Sequence, residues 1–131
     1  MRGGSIDAAF RERLMLAVTA VNGCRYCSYG HAKRALVEGI SDQEVAALQV
    51  GDLENSPAEE LPALLYAQHW AETKGDPDAI ARGRVIDRYG EDTVSQIELI
   101  LRMIQMGNLL GNTMDYVLYR VSFGWLGGGS H

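Results

Sequence analysis

Asn22-Gly23-Cys24-Arg25-Tyr26-Cys27-Ser28-Tyr29-Gly30-His31 is the stretch on which the reading of this chain turns. It holds both cysteines of the protein and one of its three histidines. If the residues after Gly23 are helical, Cys24, Cys27 and His31 fall at i, i+3 and i+7. At about 3.6 residues per turn they then share one stripe within roughly 60°. Gly23 is the natural left-handed residue to end a preceding helix, so the stretch predicts two helices folding back on each other at Asn22-Gly23.

Working outward, Ile6, Phe10, Leu14, Ala17, Val18 and Val21 recur at helical spacing, predicting a first helix over 6–22 capped by Ser5. The second runs over 24–38 and is stopped by Gly39. Ser41-Asp42-Gln43-Glu44 reads as a capping box opening a short helix to Val50, and Ser56-Pro57-Ala58-Glu59 as the start of a helix to Lys74. Asp76-Pro77 opens a fifth helix ending near Gly90, and 92–121 forms the last and longest. No segment alternates with period two between turn residues. The expected fold is all-α, a single-domain bundle of about six helices over 6–124.

Composition narrows the function classes. A net charge of −5 with no basic run argues against a nucleic-acid footprint. No apolar run approaches the ~18 residues of a membrane span. Two cysteines are too few for a secreted disulfide scaffold, and a cytoplasmic location is expected. The Gly/Ser-rich residues 1–5 and 127–131 carry no packing groups, and 1–5 and 125–131 read as added or disordered ends. Gly107 and Gly111 lie inside the last helix with Asn108 and Asn112 beside them. Each helical glycine costs about 1 kcal/mol relative to alanine, which predicts a close helix–helix approach there, within the chain or across an interface. Met103, Met106 and Met114 read as core or interface filler.

A thiol becomes a useful nucleophile as its thiolate, and a helix N-terminus or a nearby imidazolium lowers its pKa from near 8.5. Cys27 and His31 are one turn apart, close enough to exchange a proton. Glu12 lies about ten residues before the turn and His31 about eight after it. At ~1.5 Å per residue they reach similar heights, roughly 15 and 12 Å from the pivot, so Glu12 can orient the imidazole. The geometry predicts a Glu12–His31–Cys27 relay with Cys24 as the second thiol. Three other readings stay open at this point. The cysteines are small and often simply buried. Cys24, Cys27 and His31 are three zinc ligands if Glu12 or His69 supplies a fourth. Glu12, between Arg11 and Arg13, also suits a solvated helix face.

Glu12-Arg13-Leu14, then Ala17-Val18-Thr19-Ala20-Val21-Asn22-Gly23-Cys24, then Cys27 and His31, resemble the core motif of the alkylhydroperoxidase D-like proteins of the carboxymuconolactone decarboxylase superfamily. The resemblance is close over about 6–50 and looser beyond. It implies an all-helical homo-oligomer, commonly a trimer or hexamer, with thiol-dependent peroxidase activity. Glu12, Cys24, Cys27 and His31 match the working set one for one. A further histidine that some members carry between the cysteines is Tyr26 here. The decarboxylase branch lacks the cysteine pair, so the resemblance implies peroxide reduction rather than decarboxylation. The expected partners are a small hydroperoxide and a thiol or dithiol reductant, with no cofactor, nucleic acid or membrane. A Cys/His metal-binding module or a catalytically silent oligomeric scaffold is the alternative.

Overall fold

Helix α1 (Ala8–Asn22) is the element the other helices surround, because its apolar residues recur on more than one face. Phe10, Leu14, Leu16, Ala17 and Val18 are all fully buried. A computed structural model describes residues 6–121, which form six α-helices and no strand. After α1 come α2 (Arg25–Val37), α3 (Asp42–Gln49), α4 (Leu61–Glu72), α5 (Ala79–Tyr89) and α6 (Glu91–Val121). α1 packs against α2, α3, α4 and α6, and α5 closes the far side against α4 and α6. The all-α expectation holds. The Gly/Ser ends, Ser5 and the tail of the expected 6–124 domain lie outside the described residues. Among the described residues, no helix is long and apolar enough to cross a membrane.

The caps explain where the chain turns. Asp7, not Ser5, caps α1 by accepting the Phe10 N–H at 2.8 Å. Gly23 ends it in the left-handed region (φ 75°), donating its N–H to Thr19 at 2.8 Å, as its position before Cys24 predicts. Ser41 caps α3 through the Glu44 N–H, but Glu44 does not complete a capping box. Its carboxylate is drawn to Arg13 at 2.6 Å, and the same guanidinium reaches both oxygens of Glu60 at 3.1 Å. This charged cluster ties α1 to α3 and to the start of α4. α4 starts at Leu61, with Glu60 of this cluster at its N-cap position, later than the Ser56-Pro57 signal predicts. Pro57–Leu61 instead forms tight i→i+3 turns, and the buried Ser56 hydroxyl caps nothing. Asp78 rather than Asp76 caps α5.

Candidate functional site

The turn at Gly23 brings α2 back alongside α1, and the two cysteines sit at the entrance of α2. Cys24 is its N-cap residue rather than part of its first turn, and its sulfur accepts the Cys27 N–H at 3.3 Å. A sulfur so placed faces the positive end of the helix dipole. Cys24 and Cys27 are joined as a disulfide. Cys24 is buried at 1% exposure, whereas Cys27 is partly open to solvent.

One turn along α2, His31 Nδ1 lies 2.7 Å from Glu12 Oε1. Glu12 is 3% exposed, so the solvated-face reading of this residue fails. Of its arginine neighbours, Arg13 turns away to Glu44 and Glu60, while Arg11 approaches the other Glu12 oxygen at 3.5 Å. A carboxylate accepts the Nδ1 proton, which leaves Nε2 as the basic nitrogen of the ring. Cys27 and His31 share one face of α2 at i, i+4. The fold therefore gathers the four residues around one turn.

Helix α6 roofs this turn, a role the sequence only hinted at. Gly111 passes so close to the disulfide that a Cβ there would lie 2.5 Å from Cys24 Sγ and 3.0 Å from Cys27 Sγ. The Gly107 carbonyl oxygen is 3.6 Å from Cys27 Sγ, but a Cβ at Gly107 would meet nothing within 4 Å. Within the chain, the close approach that would exclude a side chain is found at Gly111 and not at Gly107. The adjoining asparagines stitch α6 to the end of α1. Buried Asn108 donates to Thr19 Oγ1 at 3.1 Å and accepts from Asn22 at 3.0 Å, and Asn112 donates to the Asn22 carbonyl at 3.2 Å. Arg25, between the cysteines, pairs with buried Asp115 at 3.3 Å. Glycine and asparagine at helical spacing were the available signal, but neither names its partner.

A match to the family model described as "Carboxymuconolactone decarboxylase family" covers residues 1–73, more than half of the 131-residue chain. The chain belongs to this family. The family match contains Glu12, Cys24, Cys27 and His31, and ends before α5 and α6. No curated protein matches the chain.

Other features lie away from the turn. His69, weighed above as a fourth zinc ligand, accepts the Asp78 N–H on Nε2 at 2.9 Å, at the junction of α4 and α5. Among the described residues, no group of three or more His, Cys, Asp and Glu side chains is arranged to hold a metal ion. Tyr26 and Tyr29 are exposed, and the cations of Arg25 and Lys33 lie over their rings at 5.1 and 5.0 Å. The 370 Å³ cavity between α4 and α5, lined by Leu65, Tyr66, His69 and Arg84 among others, contains none of the four site residues. A smaller cavity of 200 Å³ opens beside Cys24, with Thr19, Arg25, Ser28 and Gln49 in its wall.

Proposed function

We propose that the protein is a thiol-dependent peroxidase that reduces small hydroperoxides through Cys24 and Cys27. The observation that carries the reading is the 2.7 Å bond between buried Glu12 and His31, one helical turn from a cysteine already paired with its neighbour. A buried carboxylate holding an imidazole in one tautomer is the arrangement a proton relay needs. Simple packing of two cysteines has no use for it.

Cys27 is the attacking sulfur, since it is partly open to solvent whereas Cys24 is 1% exposed. With the pair reduced, His31 Nε2 takes the Cys27 proton. The thiolate attacks the distal peroxide oxygen, the O–O bond breaks, and the alkoxide leaves as the alcohol with the proton returned by His31. Cys27 is then a sulfenic acid. The Cys24 thiol attacks it, water departs, and the disulfide forms. An external dithiol supplies two electrons and two protons to reopen the pair. The cysteine pair is also what sets the chain apart from a decarboxylase reading of its family.

The test uses the reduced, desalted protein and one equivalent of cumene hydroperoxide. Two thiols per chain should disappear together, with one equivalent of alcohol formed and no intermolecular bond. Cys27→Ser should consume no peroxide, whereas Cys24→Ser should turn over once and stop at a sulfenic acid trapped by dimedone. Two thiols that survive the peroxide would overturn the proposal.

A further inference from the structure

Helices α4 and α5 flank the 370 Å³ cavity that lies away from the cysteines. α4 lends it Pro62, Leu65 and His69, at i, i+3 and i+7, and α5 lends Ala81, Arg84 and Val85, at i, i+3 and i+4. These intervals put each set on one side of its helix, so the cavity is a slot running along the pair. From Pro62 to His69 it spans about 10 Å, at ~1.5 Å per residue.

Hydrogen bonds tie the two helices together beyond both ends of the slot. At one end the Asp78 N–H donates to His69 Nε2 at 2.9 Å. At the other the Tyr89 hydroxyl donates to the Glu59 carbonyl at 2.7 Å and accepts the Ala63 N–H at 3.3 Å. The hydroxyl of buried Tyr66, also in the wall, is taken up by Glu98 at 2.6 Å, and Glu98 is held by Arg82. A ligand in the slot therefore meets Pro62, Leu65, Ala81, Val85 and the carbon surface of Tyr66.

Two donors remain in the wall. Arg84 is exposed and makes no hydrogen bond or ion pair among the described residues. His69 uses Nε2 as an acceptor, which puts the proton of the neutral ring on Nδ1. No carboxylate lines the slot, although the chain carries a net charge of −5. The local sign is opposite to that of the whole molecule. The volume lies within the range of about 300–1,000 Å³ typical of ligand pockets. At about 30 Å³ for each water-sized group it holds about a dozen non-hydrogen atoms.

The geometry points to a binding site for an amphipathic monocarboxylate of about eight to ten carbons, its chain along the slot and its carboxylate on Arg84. A guanidinium can hold both oxygens of a carboxylate, and the apolar wall takes the chain out of water. An uncharged amphiphile leaves Arg84 without a partner. The inference does not depend on the peroxidase reading.

The probe is sodium octanoate, with 1-octanol as its uncharged match, titrated calorimetrically into the full-length protein near neutral pH. One octanoate should bind per chain with a Kd on the order of 100 µM, and 1-octanol at least tenfold more weakly. Arg84→Gln should weaken octanoate at least tenfold, and Arg84→Lys, which keeps the charge, by less. Ala81→Phe should fill the slot and abolish binding with the helical circular dichroism signal retained. Should that variant fail to fold, the wild-type protein supplies a second readout. Octanoate should move the amide resonances of Leu65, His69, Ala81 and Val85 and leave those of Gly23, Cys24 and Cys27 in place. No saturable binding, equal affinity for 1-octanol, indifference to Arg84→Gln, or resonance shifts confined to other residues overturns the inference.

Discussion

Replacing Gly111 with alanine tests the placement of α6 over the disulfide, because an ordinary helical glycine would give the opposite result. Alanine in a helix interior is favoured over glycine by about 1 kcal/mol. At Gly111 the new Cβ would stand 2.5 Å from Cys24 Sγ and 3.0 Å from Cys27 Sγ. Non-bonded carbons prefer about 3.5–4.0 Å, so α6 or the sulfurs must move by on the order of 1 Å. Overpacking of this kind costs about 1–3 kcal/mol. The upper end applies to the oxidised protein, whose two sulfurs are bonded together and cannot rotate away singly. Net of the helical gain, the oxidised form should lose about 2 kcal/mol. In the reduced protein each thiol can turn about its own χ1, and the cost falls towards the gain. The oxidised state is thus penalised by about 2 kcal/mol relative to the reduced one. At about 30 mV for 1.4 kcal/mol, the disulfide potential should rise by about 40 mV. The assays are urea unfolding with and without reductant, and equilibration against dithiothreitol redox buffers. Gly83→Ala, in the open interior of α5, is the control and should stabilise both forms by up to about 1 kcal/mol. If Gly111→Ala behaves like Gly83→Ala, with an unchanged potential, α6 does not lie against the sulfurs as described.

Two further outcomes follow from named contacts. Glu12→Gln keeps the shape of the buried side chain but removes the charge that holds His31, so peroxide turnover should slow by about 10–100-fold with unchanged thermal unfolding; a wild-type rate would remove Glu12 from the relay. Glu98 accepts two bonds from Arg82, at 2.8 and 3.0 Å, and one from the Tyr66 hydroxyl at 2.6 Å. The Arg82 hydrogen bonds, ahead of the opposing effect of burial, hold its carboxyl below the ordinary 4.5. A carboxyl lowered by folding lends stability above its unfolded value and loses it as pH falls through the folded one. The stability gap between wild type and Glu98→Gln should therefore be widest near neutrality and narrow below pH 4.5. Parallel stability curves from pH 7 to 3 would contradict that assignment.

Local chemistry determined much of this protein from sequence alone. Apolar spacing along Phe10, Leu14, Ala17 and Val18 requires a helix. Gly23 ends it by adopting a backbone that other residues resist, and Gly39 does the same after α2. The interval between Glu12 and His31 across a tight turn was enough to predict that they meet, because helical rise is fixed and the turn is short. The exact start of α4 was not legible at that level. Arg13, Glu44 and Glu60 converge from three separate segments, and the helix begins just after Glu60 rather than at Ser56. The role of α6 was equally hidden. A glycine reports only that a side chain is absent; Gly107 and Gly111 look alike in sequence, and only the path of α6 sets one of them against the disulfide. Periodicity likewise marks Met103, Met106 and Leu110 as apolar positions, whereas their exposure depends on which side of α6 the rest of the bundle occupies. Short-range geometry fixes helices, caps and the register of the cysteine stripe, and long-range packing decides what covers them.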